Sequence, residues 1–248
     1  MDIFTVAIQK GGTGKTTTAA AIAQAAAHRG RRVLAIDLDP QGNLSFALAA
    51  QTIPETGNSY NLLMGLPPAD LIQTTRQGLD IIPATWDLST ISSGKGSARR
   101  LQRALEPLKN EYDLIIIDTP PTAGELQYNA LQAATGLIIP LQADIYNVQS
   151  LYQITDTARQ IQGSNPDLSI SGIVLTQYDG RSTIARQMKE TITGKAAAMG
   201  VPCLGTVRAA VAVKEAAALQ QSLFEYAPKC KPAADYLAIY ETITKQEG

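Results

Sequence analysis

Short apolar runs alternate with longer helical stretches along most of the chain. The first run, Ile3–Ile8, leads into a glycine cluster, and an alanine-rich stretch from Thr16 to His28 follows before Gly30 ends it. Continuous apolar strands that alternate with helices are typical of a parallel sheet that is covered on both faces. We therefore predict an α/β fold, with a mostly parallel sheet and helices on both of its faces. The further predicted strands are Val33–Ile36, Leu79–Pro83, Leu114–Ile117, Leu137–Leu141, Ile170–Leu175 and Cys203–Val207, and the further predicted helices are Ser97–Lys109, Asn147–Gln162, Ile184–Met199 and Ala233–Lys245.

The predicted domain organisation depends on length and on the absence of linkers. A chain of 248 residues can form one large α/β domain or two small ones, so length alone does not decide. The sequence contains neither an internal repeat nor a low-complexity linker, and Gln51–Pro68, which is rich in Gly, Pro, Asn and Thr, is typical of a surface excursion. We predict a single domain over residues 1–248.

Composition limits the classes of function. Charged residues make up 17% of the chain and the formal net charge is -1, which excludes a globally basic nucleic-acid coat but not a local basic patch. Two cysteines, Cys203 and Cys230, and one histidine are too few for a zinc or iron–sulfur site within one chain. We expect free thiols and, because no targeting segment or membrane-length apolar run is present, a cytoplasmic protein.

A glycine-rich segment, Gln9–Thr17, lies between the first predicted strand and the first predicted helix. Its glycines allow backbone N–H groups to turn inward around a phosphate, and the following helix adds its positive N-terminal end. Lys15 is placed to reach the β- and γ-phosphates, and the Thr16 hydroxyl can bind Mg²⁺. The general P-loop pattern has a glycine where this chain has Gln9. The predicted nucleotide-binding residues are Lys10, Gly11, Gly12, Thr13, Gly14, Lys15, Thr16 and Thr17.

Carboxylates follow two further predicted strands. The second strand ends in Asp37 and Asp39, and the run Leu114–Ile117 ends in Asp118. Because the C-terminal ends of parallel strands lie along one edge of a sheet, we expect these carboxylates close to the glycine-rich loop. Asp118 is expected to hold Mg²⁺ through water together with Thr16, and Asp37 serves either this chemistry or the capping of the following turn. By the same topology, two more strand ends are expected to line the side of the nucleotide's base: residues 176–179 and 206–208.

Three motifs between Lys10 and Gly124 resemble those of the ParA/MinD class of ATPases, and in particular the ParA/Soj-type partition ATPases. The loop Lys-Gly-Gly-Thr-Gly-Lys-Thr-Thr is similar to the deviant Walker A motif of that class. Asp-Leu-Asp-Pro-Gln-Gly-Asn is similar to the ParA motif after the second strand, and Ile-Ile-Ile-Asp-Thr-Pro-Pro has the form of a Walker B strand. The resemblance implies a P-loop NTPase fold with ATP and Mg²⁺ as cofactors.

The resemblance also implies roles for single residues. In this class the signature lysine contacts the nucleotide that is bound to the partner subunit, which for Lys10 implies an ATP-sandwich homodimer. A solvated loop lysine is the alternative interpretation. Asp39 is implied to orient or activate the attacking water, so Asp39 and Lys10 are the implied catalytic residues. Thr16, Asp118 and Asp39 are the implied metal neighbours, and the loop at residues 122–124 is the expected sensor of the γ-phosphate.

Positive charge is concentrated in the C-terminal half. Residues 176–231 contain eight basic and four acidic side chains, although the whole chain is nearly neutral. ParA-like proteins bind DNA without sequence preference through this half, and the resemblance points to Arg181, Arg208 and Lys214 as DNA contacts. An ordinary solvated charged face is the alternative interpretation. A second basic cluster surrounds the predicted helix that begins at Ser97 and consists of Lys95, Arg99, Arg100, Arg103 and Lys109.

The combined prediction is an ATP-dependent partition or positioning ATPase. The resemblance implies that its ATP-bound dimer binds DNA non-specifically, at the nucleoid, and leaves after hydrolysis that a ParB-like centromere-binding adaptor stimulates. The first predicted strand starts at Ile3, so no N-terminal DNA-reading extension is expected. The alternative is a membrane-associated MinD-like ATPase. No membrane is expected as a partner, because the tail from Tyr236 carries one lysine and two glutamates, unlike a basic membrane-binding helix.

Overall fold

A mostly parallel sheet forms the centre of the molecule. The computed structural model of the chain describes residues 1–50, 55–92, 94 and 96–245. The strands of this part of the chain are Asp2–Val6 (β1), Val33–Asp37 (β2), Gln73–Thr74 (β3), Asp80–Ile82 (β4), Leu114–Asp118 (β5), Gly136–Gln142 (β6), Ser169–Tyr178 (β7) and Cys203–Arg208 (β8). Their order in the sheet is β3-β4-β2-β5-β1-β6-β7-β8, and only the edge pair β3–β4 is antiparallel among these described strands.

Helices cover both faces of the sheet, which confirms the predicted fold class. In β5, Ile115 and Ile117 belong to one hydrophobic core, whereas Leu114 and Ile116 belong to the core on the other face. A strand that is buried on both faces has a continuous apolar sequence, and this continuity made β5 predictable. The described α-helices are Lys15–His28 (α1), Asn43–Ala47 (α2), Ser59–Leu63 (α3), Arg100–Leu105 (α4), Glu125–Ala133 (α5), Asn147–Gln162 (α6), Thr183–Ala198 (α7), Val211–Ala218 (α8), Leu223–Tyr226 (α9) and Lys231–Lys245 (α10).

One predicted helix has the wrong extent. The stretch Ser97–Lys109 forms a 3-10 turn, then the six-residue α4, and then a second 3-10 turn at Glu106–Leu108. Pro107 lies in this last turn, and a proline cannot continue an α-helix because it lacks the N–H group and its ring clashes with the preceding turn. Of the predicted surface excursion, residues 51–54 lie outside the described residues, and the remainder contains α3.

The topology brings three strand ends together. β1 lies between β5 and β6, and β5 lies between β1 and β2. In the parallel register Asp118 is paired with Val6 on one side and with Asp37 on the other. The connection after β1 and the carboxylates of β2 and β5 therefore meet at the same edge of the sheet, as the sequence predicted.

The last helix, α10, is packed into the fold. Its side chains Tyr236, Ile239, Tyr240 and Ile243 are buried in the core that also contains α1 and β8. Among the described residues, no helix combines the length and the apolar character that crossing a bilayer requires.

Candidate functional site

The glycine-rich loop between β1 and α1 depends on left-handed backbone at two glycines. Gly12 has a φ of 76° and Gly14 a φ of 90°, which a residue with a side chain adopts only with strain. The Gly14 carbonyl accepts the first hydrogen bond of α1, from Thr18 N at 2.8 Å. No acidic residue lies in the first turn of α1, so the positive end of this helix is not compensated by its own side chains.

A cleft of about 530 Å³ opens in front of this loop. Six of the eight predicted nucleotide-binding residues line it, whereas the Thr13 side chain is buried and the Lys10 side chain extends toward Asp144. Asp39 and Pro121 line the cleft from the ends of the neighbouring strands. The six lining residues of the loop and of α1 are Gly11, Gly12, Gly14, Lys15, Thr16 and Thr17.

Lys15 is buried in the cleft beside the carboxylates. It is 7% exposed, and its Nζ donates a hydrogen bond to the Lys10 carbonyl at 2.7 Å. Burial lowers the pKa of Lys15, and the charges of Asp118 and Asp39 raise it in part. The ammonium group is therefore held inside the cleft, close to the charges of Asp118 and Asp39.

Lys10 takes a different direction, toward the loop between β6 and α6. Its Nζ lies 3.5 Å from Asp144 Oδ2 and 5.8 Å from the centroid of the Tyr146 ring. Both charged side chains are partly exposed, so this pair contributes at most about 1 kcal/mol to stability. The two lysines of one loop are thus held in separate environments, Lys15 inside the cleft and Lys10 at its border.

Asp37 organises the turn after β2. Its carboxylate is fully buried and accepts hydrogen bonds from Asp39 N at 3.1 Å, from Ser45 N at 2.8 Å and from Ser45 Oγ at 2.7 Å. Burial raises the pKa of Asp37 to about 6, although these hydrogen bonds oppose the shift. Of the two interpretations of Asp37, the contacts favour the capping of the following turn.

Asp118 is a fully buried carboxylate at the end of β5. Its Oδ1 accepts a hydrogen bond from Thr119 N at 3.0 Å, whereas Oδ2 is buried and accepts none from the described residues. Burial and the neighbouring charge of Asp37 raise the pKa of Asp118 well above its ordinary value, and the Thr16 hydroxyl and the Lys15 ammonium oppose this rise. An unsatisfied buried carboxylate oxygen in this position needs a cation or another donor.

The oxygen donors in and beside the cleft fit Mg²⁺. Thr16 supplies a hydroxyl, and Asp118 and Asp39 supply carboxylates, of which Asp39 is 7% exposed and accepts a hydrogen bond from Gln41 N at 3.0 Å. Mg²⁺ binds through one or two carboxylates and phosphate oxygens and retains several waters. In the described part of the chain, no group of three or more His, Cys, Asp or Glu side chains forms an all-protein metal cage.

The expected sensor loop, residues 122–124, lies in the connection between β5 and α5. The Thr119 hydroxyl donates a hydrogen bond to the Val6 carbonyl at 2.9 Å, which ties the start of this connection to β1. Thr122 and Ala123 are exposed, and α5 begins immediately after Gly124. The connection is therefore anchored at both ends and solvent-accessible in the middle.

A second cavity is lined by the strand ends that were expected beside the nucleotide's base. This cavity of about 330 Å³ adjoins the loop at Gly14 and Thr17. Thr176 and Gln177 from β7 and Val207 from β8 line it, together with Arg208 and Lys214. Two of the three predicted DNA contacts thus border a cavity that adjoins the phosphate loop.

The three predicted DNA contacts differ in exposure and in whether a carboxylate pairs with their charge. Arg208 is bound to Asp235 of α10, with Nε–Oδ2 2.9 Å and Nη2–Oδ1 2.5 Å. Arg181 forms a similar fork with Asp179 but is 92% exposed, and Lys214 lies exposed on α8. In the second basic cluster, Lys95 lies outside the described residues.

Sequence reasoning missed Gln142 and Asp144, and it placed Thr176 and Gln177 beside the base without assigning them contacts with the loop. Gln142 and Gln177 donate hydrogen bonds to the Gly12 carbonyl, and Thr176 donates one to the Thr13 carbonyl. Gln142 and Thr176 lie at or near the C-terminal ends of apolar strands, where the rule that located Asp37 and Asp118 also applies. Asp144 carried no local signal, because its pairing with Lys10 bridges 134 positions of sequence.

The sheet topology, the glycine loop and the carboxylates define a P-loop NTPase. The family model described as "AAA domain" matches residues 1–170. The chain is 38% identical to the chromosome partitioning protein ParA of Myxococcus xanthus over 254 residues, covering 99% of this chain and 88% of that protein. The chain therefore belongs to this family and, within it, to the ParA/MinD group.

Solved structures agree with this assignment. The crystal structure of cobyrinic acid a,c-diamide synthase from Mycobacterium smegmatis with bound ADP and magnesium superimposes with a TM-score of 0.84 at 31% identity, covering 100% of this chain and 95% of that one. The cell division ATPase MinD of Pyrococcus furiosus superimposes with a TM-score of 0.81 at 25% identity, covering 99% of each chain.

Proposed function

We propose that this chain is a partition ATPase. ATP binding forms a dimer that binds DNA, and ATP hydrolysis releases this dimer from the DNA. The observation that carries the proposal is the separation of the two loop lysines. Lys15 is buried beside Asp118 and Asp39, whereas Lys10 lies at the border of the cleft. One lysine suffices for the nucleotide of its own subunit, which leaves the other for a partner. The name and 38% identity of the ParA relative support the same assignment.

The chain's own residues bind and orient the nucleotide. The N–H groups of the loop and of the start of α1, together with Lys15, hold the phosphates. Thr16 and Asp118, with Asp39 nearby, would hold Mg²⁺, which when bound neutralises charge on the β- and γ-phosphate oxygens. Asp39 orients the attacking water, because it lines the cleft and one of its oxygens is already fixed by Gln41 N.

Lys10 is proposed to reach the nucleotide of the partner subunit. Its exposed pairing with Asp144 is weak enough to be exchanged for contacts with a triphosphate. We expect Lys10→Ala to bind Mg·ATP within about threefold of the wild type but to remain monomeric, because the substitution removes only the interaction across the dimer. Light scattering after gel filtration, with and without ATP, measures this.

Asp144→Asn is the matched control for Lys10→Ala. It breaks the same pair but leaves the lysine in place, so the ATP-dependent dimer should persist. A Lys10→Ala protein that still dimerises with ATP contradicts the cross-subunit role of Lys10.

The proposed DNA surface lies around α7 and α8. Arg181 lies just before α7, and Arg186 and Lys189 lie in its first two turns, where Lys189 Nζ is 5.1 Å from the Tyr178 ring centroid. Lys214 adds an exposed charge from α8, whereas Arg181 and Arg208 contribute less because Asp179 and Asp235 neutralise them. A dimer has twice this basic surface. Because the proposed dimer forms only with ATP, DNA binding is expected only in the ATP state.

ATP-dependent binding to non-specific duplex DNA tests the function. Log–log plots of affinity against salt should have a slope of about -0.9 for every phosphate that is neutralised. We expect Lys214→Ala to make this slope shallower by about 0.9 for each phosphate that the lysine neutralises, whereas Lys245→Ala on α10 should leave the slope unchanged. Fluorescence anisotropy over a salt series measures both. Binding that is equal with and without ATP contradicts the switch.

The stimulating partner is proposed to be a ParB-like adaptor, and the protein is proposed to act at the nucleoid. A MinD-like membrane role is less well supported, because the apolar side chains of α10 are already buried against α1 and β8. Flotation with anionic liposomes, compared with DNA co-sedimentation under the same ATP conditions, separates the two roles.

A further inference from the structure

A β-bulge near the end of β7 turns Gln177 toward the phosphate loop. In the β7–β8 ladder Leu175 is paired with Thr206 and Tyr178 with Arg208, so β7 has one more residue than β8 between these pairs. Gln177 lies in this bulge with a φ of 52°, a left-handed conformation that is unfavourable for a residue with a side chain. Bulges beside active sites commonly redirect a side chain.

The redirected side chain reaches a carbonyl group of the loop. Gln177 Nε2 donates to the Gly12 oxygen at 3.2 Å, and Gln142 Nε2, from the end of β6, donates to the same oxygen at 2.8 Å. The Thr176 hydroxyl donates to the next carbonyl, that of Thr13, at 2.6 Å. Side chains from two strand ends thus hold two consecutive carbonyl groups of the loop.

The orientation of these carbonyl groups decides where the loop's N–H groups point. The Gly12 C=O and the Thr13 N–H belong to one planar trans peptide and point in opposite directions. Holding the Gly12 oxygen toward β6 and β7 therefore aims the Thr13 N–H away from these strands, and holding the Thr13 oxygen does the same for the Gly14 N–H. A P-loop binds phosphate with such N–H groups.

We propose that Gln177, together with Gln142, is a positioning residue of the phosphate site. It fixes the peptide between Gly12 and Thr13 so that the Thr13 N–H faces the bound phosphate. This inference rests on the proposed nucleotide binding. It accounts for a glutamine in a left-handed position where glycine would relieve the backbone.

The substitution Gln177→Gly tests the effect of the side chain separately from the effect of the backbone conformation. Because glycine adopts a φ of 52° without strain, the thermal midpoint of the nucleotide-free variant should equal or exceed that of the wild type. The Kd for mant-ADP with Mg²⁺ should nevertheless rise about fivefold, as expected when one hydrogen bond is removed. Gln220→Gly is the matched control, since Gln220 has a φ of 54° and lies just beyond α8. The Kd of Gln220→Gly for mant-ADP should equal that of the wild type.

A double variant tests the shared carbonyl group. Gln142→Met keeps a similar volume but removes the donor, and in each single variant the remaining glutamine partly compensates. We therefore expect Gln142→Met/Gln177→Gly to weaken mant-ADP binding by more than the product of the single effects. Isothermal titration of the same proteins checks the fluorescence values.

The possible outcomes distinguish this inference from the proposed function. If the wild type does not bind mant-ADP, nucleotide binding itself fails. If the wild type binds and Gln177→Gly binds within twofold of it, Gln177 is not a positioning residue. A parallel loss of midpoint and affinity in Gln177→Gly also overturns the proposal, because it assigns the bulge a purely architectural role.

Discussion

Replacing Lys15 by alanine should weaken Mg·ATP binding at least about 100-fold and remove every ATP-dependent behaviour of the chain. A charge-assisted hydrogen bond is worth about 1.5–3 kcal/mol, and the lysine of a P-loop makes more than one such contact with phosphate oxygens. The loss is amplified here because Asp118 and Asp39 lie close to Lys15. Without the ammonium, these carboxylates repel the incoming triphosphate. Titration calorimetry with a non-hydrolysable ATP analogue measures the effect.

Lys10→Ala is the natural control for this experiment. It removes a lysine from the same loop, but one that pairs with Asp144 at the border of the cleft. Circular dichroism must establish that Lys15→Ala is folded, since the substitution leaves a buried cluster of acids without its cation. A folded Lys15→Ala protein that still binds ATP tightly would remove the P-loop assignment.

Asp39→Ala should hydrolyse ATP about 100-fold or more slowly while it retains ATP binding and ATP-dependent dimerisation. A positioned group that activates water contributes about 10²–10⁴-fold to a rate. Lys15, not Asp39, is the proposed phosphate-binding residue, and Asp39 is less buried than Asp118. Removing the Asp39 carboxylate should therefore weaken ATP binding little. Single-turnover measurements with excess protein separate the chemical step from product release.

Asp39→Asn refines the interpretation of this result. An asparagine oxygen can still accept the hydrogen bond from Gln41 N, so the turn is preserved while the negative charge is removed. If Asp39→Asn is as slow as Asp39→Ala, the charge is required for hydrolysis. Wild-type rates in both variants would exclude Asp39 from the mechanism.

The buried strands and the edge that carries the site could be predicted from the sequence. A strand such as β5 is apolar on both faces, and this pattern depends only on neighbouring residues. The two-residue β3 and the bulge at Gln177 could not be predicted, because their conformations are imposed by pairing with distant strands. The interruption of the helix over 97–109 was predictable in principle from Pro107.

The candidate site was predictable where local chemistry dictates structure. The glycines with left-handed backbone and Lys15, the first residue of α1, could be located from the sequence because their pattern is local. A count of charges along the chain, however, assumes that no arginine is paired with a carboxylate. Arg208 is paired with Asp235, which is 27 residues away in the sequence. Long-range pairing of this kind is visible only after the helices have been packed.

Two successive residues of α10 contact two different parts of the molecule. The Tyr236 hydroxyl lies 3.4 Å from the Thr18 hydroxyl, one turn after the phosphate loop, and Asp235 holds Arg208 at the end of β8. Close-packed interiors transmit small displacements instead of absorbing them. Because Asp235 and Tyr236 are adjacent on one helix, a displacement of α1 at Thr18 is transmitted to Arg208 at the end of β8.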